Sequence, residues 1–220
     1  MEKTLELISR GAEAYLYKSS LFDIPVIIKY RIPKAYRDPV LDKRIRSQRT
    51  ILEAKIIGTL RLKGLPVPAV LFVDPDRALL VLEYINGVLL KHVIGHDIDK
   101  SLKIFKEVGL YVGLIHSNKI VHGDLTTSNI IIRKDDGRPY IIDFGLATYS
   151  DDIEDRGVDL HLLLRSLEST HPMYANRLFK EFIKGYSNVM GEEYTNILLN
   201  KVKEIRMRGR YVEERRLRKI

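Results

Sequence analysis

The stretch IVHGDLTTSNIII at residues 120–132, followed by YIIDFGL at residues 140–146, decides how this sequence folds. Both stretches combine short apolar runs with isolated acidic or amide side chains. Asp124 and Asn129 are separated by four residues in a predicted loop, and Asp143 ends an apolar strand. An ionised Asp can accept a hydroxyl proton or orient water, whereas carboxylate and amide oxygens are hard ligands that suit Mg²⁺. The two stretches therefore predict one cluster that supports phosphoryl transfer with a divalent metal.

Length and composition limit the class of protein. The chain of 220 residues is 45% hydrophobic and 30% charged, which fits one large globular domain or two small lobes. It contains no cysteine, which excludes disulfides, cysteine zinc sites and thiol catalysis. Its apolar runs are shorter than the roughly 18–20 residues that a membrane span needs, and its first residues do not resemble a signal peptide. We therefore expect a cytoplasmic protein without membrane contact.

Apolar periodicity and turn residues predict a bilobal α+β chain that divides near residue 86. The first lobe, residues 1–85, is expected to contain strands at 4–9, 13–18, 25–31, 69–73 and 78–84 and one main helix at 40–62. The second lobe, residues 86–205, is expected to contain a buried helix at 99–118, a hairpin of 130–133 with 140–143, and helices near 157–168, 172–189 and 191–207. Residues 206–220 are expected to form a basic C-terminal tail.

The spacing of Asp124, Asn129 and Asp143 resembles the protein-kinase superfamily, in which H-R-D-x-x-x-x-N precedes D-F-G. The resemblance implies a minimal kinase-like fold with a small β-rich N-lobe and a mostly helical C-lobe. It makes Asp124 the catalytic base or water-orienting acid and Asn129 and Asp143 the metal ligands. Lys29, at the end of VIIK, matches the third-strand lysine that holds the α- and β-phosphates, and Glu53 is its ion-pair partner. The implied cofactors are ATP and Mg²⁺.

The same resemblance assigns the remaining nucleotide contacts. The segment EYI at residues 83–85 is the expected hinge, where the backbones of Glu83 and Ile85 contact adenine. The phosphate-covering loop should read G-x-G-x-x-G, but this chain reads SRGAEAYLY with a single glycine. We expect backbone amides near Gly11 and Ala12 to cap the phosphates, with less flexibility than the usual loop.

Other departures concern regulation. Gly123 precedes Asp124, where many protein kinases carry the arginine that senses a phosphorylated activation loop. No A-P-E follows DFGL, so the chain has little platform for a peptide substrate. These departures argue against activation by phosphorylation. Asp159, in GVDLHLLL, is expected to lie in a helix that supports the catalytic loop and to have a structural role.

Four segments, HSNKIVHGDLTTSNIII, IIDFGLA, RGAEAYLY and EAKIIGTLRLKGLPVP, resemble the small RIO-like atypical kinases that serve as the ATPase subunit of the KEOPS (EKC) complex. The resemblance runs from residue 8 to about residue 210. It implies that Mg·ATP is hydrolysed or transferred to Ser/Thr, in support of threonylcarbamoylation of tRNA adenosine 37. It also implies a threonylcarbamoyl-transferase subunit bound to the C-lobe and tail, and a small regulatory subunit bound to the N-lobe.

Two segments carry the whole excess of positive charge. Residues 31–49 hold seven basic and two acidic side chains, and residues 201–220 hold nine basic and three acidic, within a net charge of +8. Such segments attract phosphate backbones or acidic surfaces, although they are also common as solvated faces. The tail from Arg206 to Lys219 is the stronger candidate for a contact with tRNA or with the partner.

Two other functions remain open at this point. A small-molecule phosphotransferase of the aminoglycoside or choline kinase type also favours HGDL, but such enzymes generally need a larger helical lobe to enclose a substrate. A kinase fold used as a scaffold without turnover predicts the loss of Lys29, Asp124 or Asp143, and all three are present. Fold analogy alone does not identify a substrate.

Overall fold

The structure, a computed structural model, describes the backbone of residues 5–217 and the side chains of residues 5–208. The N-lobe contains β1 (Glu6–Arg10), β2 (Ala14–Leu21), β3 (Ile24–Arg31), α1 (Pro39–Leu62), β4 (Val70–Asp74) and β5 (Leu79–Glu83). Its strands form one antiparallel sheet in the order β1-β2-β3-β5-β4. The helix α1 begins where the Asp38 side chain accepts hydrogen bonds from the amides of Val40 and Leu41, with Pro39 in the first turn.

The C-lobe is mostly helical. It contains β6 (Gly87–Leu89), α2 (Ile98–Ser117), β7 (Ile120–Val121), β8 (Ile130–Arg133), β9 (Pro139–Ile141), β10 (Thr148–Tyr149), α3 (Ile153–Thr170), α4 (Ala175–Met190) and α5 (Glu192–Leu217), with 3₁₀ turns at Leu90–His92 and Thr127–Asn129. The short strands form a sheet of order β6-β8-β9 and a β7–β10 pair. The expected α+β bilobal, kinase-like fold is therefore confirmed.

Two glycines allow α2 and α4 to pack closely in the C-lobe. A Cβ atom on Gly109 of α2 would lie 1.9 Å from the carbonyl oxygen of Phe182, and one on Gly185 of α4 would lie 1.8 Å from that of Lys106. Because backbone atoms cannot move aside as side chains do, neither position tolerates a larger residue without separating the helices. The packing fixes α2 beside the catalytic loop that follows it.

The chain crosses between the lobes in residues 84–86. β5 ends in the N-lobe sheet at Glu83, and β6 pairs with β8 of the C-lobe from Gly87 onward. One continuous apolar core includes residues of both lobes, such as Ile57 of α1 and Ile141 of β9. The cleft described below lies between these lobes.

The helix boundaries differ most from the sequence-based expectation at the start of α3 and at the end of α5, and α4 begins at Ala175 rather than at residue 172. α3 begins at Ile153 rather than 157, because the side chain of Asp152 accepts a hydrogen bond from the Glu154 amide and caps the helix. The predicted end of the last helix at 207 is wrong, because α5 continues to Leu217. Arg, Glu and Leu are good helix formers, so the basic composition of this segment does not interrupt the helix. Residues 218–220 of the predicted tail lie outside the described residues.

The strands β6, β7 and β10, of two or three residues each, were not predicted. Segments this short carry no periodicity, so their pairing depends on the tertiary fold. Among the helices of residues 5–217, none is long and apolar enough to cross a membrane.

Candidate active site

Two joined cavities, of about 400 and 220 Å³, occupy the cleft between the lobes. Ser9, Leu16, Lys29 and Asp143 line both of them. The larger cavity is mainly apolar, and the predicted hinge residues Glu83 and Ile85 lie in its wall. Its other lining residues include Ile27, Ile57, Leu82, Ile131 and Ile142. The smaller cavity contains more of the charged side chains; its lining includes Gly11, Ala12, Arg31, Asp124 and Gly145. An apolar chamber joined to one that contains charged side chains suits a planar base attached to charged phosphates.

The predicted pair of Lys29 and Glu53 forms at the back of the cleft. Lys29 Nζ lies 2.7 Å from Glu53 Oε1 and 2.6 Å from Asp143 Oδ1. Lys29 and Glu53 are buried, at 5% and 1% exposure, so the ion pair is held away from solvent. Burial by itself would raise the pKa of Asp143, but the adjacent charge and hydrogen bond of Lys29 outweigh it and hold that pKa below its usual value. Asp143 is therefore ionised, as a metal ligand must be.

The catalytic loop brings Asp124 and Asn129 together. Asn129 Nδ2 donates hydrogen bonds to the backbone oxygen and to Oδ2 of Asp124, both at 2.8 Å. Because its nitrogen faces Asp124, the Asn129 side chain has Oδ1 left as the atom that can bind a cation. The Ile142 amide donates to the Asn129 carbonyl at 2.9 Å, which places Asn129 beside the strand end that carries Asp143. The structure thus brings the three residues of the predicted cluster to one place.

His122 ties the catalytic loop to this strand end. Its Nε2 lies 3.0 Å from the Ile142 carbonyl oxygen, and its Nδ1 lies 3.2 Å from the Asp124 amide. A carbonyl oxygen only accepts and an amide only donates, so His122 is the neutral tautomer with its proton on Nε2. The ring also packs against Phe144, with centroids 4.8 Å apart. Sequence analysis gave His122 no role, although this residue is the first of the HGD motif formed with Gly123 and Asp124.

Asp159 supports the loop from below, as expected from the sequence. Its Oδ2 accepts from the His122 amide at 2.6 Å and from His116 Nε2 at 3.2 Å, and its Oδ1 accepts from the Gly123 amide at 2.8 Å. Burial would raise the pKa of Asp159, but the hydrogen bonds that its carboxylate accepts from His116 and from the His122 amide outweigh burial and hold that pKa below its usual value. Burial likewise lowers the pKa of His116, which stays neutral and accepts from the Tyr186 hydroxyl at 2.9 Å.

Gly123 is where two loops touch. Its φ of +79° is left-handed, and a Cβ atom there would lie 2.4 Å from the carbonyl oxygen of Leu146. Leu146 follows Asp143, Phe144 and Gly145 directly. The glycine is therefore required by the close packing of the catalytic loop against the DFG turn, a steric reason that sequence analysis could not supply.

The phosphate-covering loop is fixed to the rest of the N-lobe. The Gly11 amide donates to the Ala14 carbonyl at 3.0 Å, and Lys34 donates to the Ala12 carbonyl. Glu13 accepts from Arg49 of α1 at 2.7 Å. Gly11 and Ala12 line the smaller cavity, but the Gly11 amide already donates within its own turn. That the amides of this loop cap phosphates stays a prediction.

The basic segment 31–49 is largely engaged within the N-lobe. Arg37 and Arg46 pair with Asp42, at 3.7 and 2.7 Å. Arg31 pairs with Glu53, and Lys34 and Arg49 hold the phosphate-covering loop. Most of its charge therefore stabilises the fold, which fits its ranking as the weaker candidate for a contact with nucleic acid.

The basic end of the chain also makes internal contacts. Arg206 lies 2.8 Å from Glu168, and Arg208 lies 2.6 Å from Glu154, both on α3. The side chains of Arg210, Arg215 and Arg216, which belong to the predicted contact, lie outside the described residues. Contact of this segment with tRNA or a partner stays a prediction.

Comparison with known proteins supports the kinase resemblance. The protein kinase domain family matches residues 31–181. The Rio2 kinase from Chaetomium thermophilum has a similar structure, with a TM-score of 0.63, 15% identity and coverage of 93% of this chain and 73% of that one. WaaP in complex with acyl carrier protein also scores 0.63, at 15% identity, covering 92% and 89% of the two chains. At such identities the structural likeness establishes the fold alone.

Sequence relatives are more specific. The chain is 45% identical over 216 residues to KEOPS complex subunit Bud32 of Pyrococcus abyssi, covering 95% of this chain and 97% of that protein. It is 36% identical to EKC/KEOPS complex subunit bud32 of Dictyostelium discoideum, covering 93% and 82%. It is 38% identical to a probable bifunctional tRNA threonylcarbamoyladenosine biosynthesis protein of Methanothermobacter thermautotrophicus, of which it covers 37%. With a kinase-like cleft and relatives aligned along nearly its whole length, the chain belongs to the Bud32 family of KEOPS complex subunits.

Proposed function

We propose that this protein binds Mg·ATP in the interlobe cleft and hydrolyses it, or transfers its γ-phosphate to Ser/Thr, as the ATPase subunit of a KEOPS complex. The reaction supported would be threonylcarbamoylation of tRNA adenosine 37, as the names of its relatives suggest. The observation that carries the proposal is the convergence of Lys29, Glu53, Asp124, Asn129 and Asp143 around two joined cavities.

The cleft fits ATP and a divalent metal. Its apolar chamber of about 400 Å³ lies beside the hinge residues Glu83 and Ile85, and Lys29 lines both this chamber and the smaller one. Asn129 Oδ1 and the Asp143 carboxylate are the hard oxygen donors that Mg²⁺ prefers. Within the described side chains, no group of three His, Cys, Asp or Glu residues forms a metal cage of its own. A two-ligand site suits Mg²⁺, which is commonly held by one or two carboxylates together with substrate phosphates.

The chain's own residues then have separate tasks. Lys29, oriented by Glu53, holds the inner phosphates, and magnesium, when bound, neutralises charge on the phosphates. Asp124, held by the Asn129 amide, orients the attacking oxygen and accepts its proton. Because the same carboxylate serves water or a Ser/Thr hydroxyl, the geometry supports both hydrolysis and transfer. The surrounding loops keep these groups in place before ATP arrives, which is the main protein contribution to phosphoryl transfer.

The partners follow from the family. We infer that the threonylcarbamoyl-transferase subunit binds the C-lobe and the basic end of the chain, and that a small regulatory subunit binds the N-lobe. The excess of positive charge in residues 201–220 supports a contact with the tRNA backbone. A cytoplasmic location agrees with such a complex.

Two alternatives give different expectations. A small-molecule phosphotransferase would phosphorylate an aminoglycoside or choline without any partner. A scaffold without turnover would have no use for the Lys29–Glu53 ion pair or for an ionised Asp143 beside it. The intact site favours an enzyme over a scaffold, and the relatives favour the KEOPS assignment over a small-molecule kinase.

The test is ATP turnover with Mg²⁺, measured with and without the threonylcarbamoyl-transferase subunit. Asp124→Ala removes the orienting carboxylate, and Asp135→Ala, an exposed aspartate in the β8–β9 turn, is the matched control. We expect turnover that rises with the partner, vanishes in Asp124→Ala and persists in Asp135→Ala. Turnover that depends on an added small alcohol instead would favour the phosphotransferase, and no turnover in any condition would favour the scaffold.

A further inference from the structure

Arg31 is a second cation in the cleft that the kinase motifs do not account for. It lies two residues after Lys29 on β3, so both side chains point to the same face of the sheet. Arg31 is 3% exposed, and its Nη2 lies 2.5 Å from Glu53 Oε2, while Lys29 uses Glu53 Oε1. One buried carboxylate therefore serves two buried cations.

The guanidinium of Arg31 has donors to spare. It carries five N–H donors, and within the described side chains its one hydrogen bond is the contact with Glu53. The residue lines the smaller cavity together with Asp124 and Gly145. A Cβ atom on Gly145 would lie 3.4 Å from Arg31 Nη2, so the charged end of Arg31 is next to the DFG turn. A buried guanidinium with unused donors in the wall of a cavity is suited to bind an anion there.

The strand register shows which part of a nucleotide Arg31 would meet. β3 runs from the hinge, where Val26 pairs with Glu83, toward the phosphate-covering loop, where Arg31 pairs with Ala14. Two residues of a strand advance by about 6.5–7 Å. Arg31 therefore lies further from the hinge than Lys29, which takes the position that holds the α- and β-phosphates in kinases. The next phosphate outward is the terminal one.

We propose that Arg31 binds the terminal phosphate of ATP and stabilises the charge on the transferred phosphoryl group; the proposal rests on the ATP-dependent function above. In the reaction, the bond from the γ-phosphorus to the bridging oxygen breaks and its electron pair stays on ADP. A new bond forms from the γ-phosphorus to the oxygen of water or a hydroxyl, whose proton passes to Asp124. Arg31 contacts the group that moves, whereas Lys29 contacts the part that leaves as ADP.

The competing explanation is that Arg31 only neutralises Glu53 and thereby positions Lys29. The two roles differ in their effect on ADP. Misplacing Lys29 would weaken both nucleotides, because both carry the α- and β-phosphates. Loss of a contact with the terminal phosphate would weaken ATP alone.

The experiment measures binding of ADP and of a non-hydrolysable β,γ-imido analogue of ATP, with Mg²⁺, by titration calorimetry. The variants are Arg31→Gln, which removes the charge, and Arg31→Lys, which keeps the charge but removes the planar fork and guards against a misfolded first variant. Arg77→Gln, which removes an exposed arginine–aspartate pair from the same lobe, is the matched control. Thermal melting verifies that each variant is folded.

We expect Arg31→Gln to weaken the ATP analogue about ten- to a hundred-fold, the effect of one charge-assisted hydrogen bond, and ADP by less than about threefold. Arg31→Lys should show a smaller loss with the same selectivity, and Arg77→Gln should leave the affinity for both nucleotides unchanged. Equal weakening of both nucleotides, or of neither, would overturn the assignment of Arg31 while leaving ATP binding intact. Wild-type protein that binds neither nucleotide would overturn the proposed function as well.

Discussion

Replacing Gly123 by alanine tests why a glycine precedes Asp124. Gly123 has a φ of +79°, and a Cβ atom would lie 2.4 Å from the Leu146 carbonyl oxygen and 3.0 Å from its carbon. Gly64, at the end of α1, has an almost identical φ of +78° with nothing within 4 Å of the same position. Gly64→Ala therefore measures backbone strain alone, and Gly123→Ala measures the same strain together with the collision.

The two costs can be separated by magnitude. A left-handed conformation costs a residue with a Cβ atom about 1–2 kcal/mol, which is the expected loss in the free energy of unfolding for Gly64→Ala. Overpacking against a part of the structure that cannot move aside adds about 1–3 kcal/mol, so Gly123→Ala is expected to lose about 2–5 kcal/mol. The collision also displaces Leu146, which follows the turn carrying Asp143. ATP turnover should therefore fall in Gly123→Ala and stay at the wild-type level in Gly64→Ala.

The assay is urea unfolding of the three proteins, followed by ATP turnover at a temperature where all are folded. Equal losses of unfolding free energy in the two variants, with normal turnover in both, would show that the contact between the loops does not constrain residue 123. The same measurement on Gly123→Arg bears on regulation. If the Cβ atom of alanine already disturbs the loop, the larger arginine cannot be accommodated at residue 123. The contact between the loops would then exclude the arginine with which many protein kinases sense a phosphorylated activation loop.

Three further predictions concern other parts of the chain. Because burial lowers the pKa of His116, the unfolded chain binds a proton there below about pH 6.5 that the folded protein does not. The free energy of unfolding should therefore fall as the pH is lowered. Urea titrations at several pH values should show that His116→Gln reduces this pH dependence by up to about 1.4 kcal/mol per pH unit. An unchanged slope would mean that His116 is charged in the folded state. Asp143→Asn should raise the Mg²⁺ concentration for half-maximal ATP turnover about tenfold or more, and an unaltered requirement would remove Asp143 from the metal site. For tRNA binding, the slope of the logarithm of the association constant against the logarithm of the salt concentration should become shallower in Arg215→Gln, by about 0.7–0.9 per lost phosphate contact. The exposed Arg177→Gln on α4 should leave this slope unchanged. Equal slopes in the two variants would show that tRNA binds elsewhere.

The central cluster was accessible from the sequence because its residues are close in the chain or stand at strand ends. Asp124 and Asn129 belong to one loop, and Asp143 lies two residues after the end of β9, which pairs with the strand that follows this loop. Lys29 and Glu53 come from separate elements, but a motif fixed the position of the lysine. Local patterns of this kind predict a site when the fold that joins them is also predicted.

The missed features depend on tertiary contacts. The proposed role of Arg31 depends on its distance to Glu53 and on the register of β3 against β2. The constraint on Gly123 comes from a carbonyl group in another loop. The ion pair of Arg49 with Glu13 shows that a charge of the basic segment 31–49 is used within the N-lobe, although the sequence alone made this segment a candidate for nucleic-acid binding. Composition counts charges, but it cannot show which of them are already paired.

The two lobes hold their halves of the site in different ways. In the N-lobe, Lys29 and Arg31 are held by side-chain ion pairs to Glu53. In the C-lobe, the backbone amides of His122 and Gly123 are anchored on the buried carboxylate of Asp159. A lysine or arginine side chain can exchange a carboxylate partner for a phosphate oxygen, whereas the amides of His122 and Gly123 are held on the buried Asp159 carboxylate. The lobe proposed to bind phosphate is therefore suited to adjust to its ligand, while the loop proposed to orient the attacking oxygen has the fixed geometry that catalysis requires.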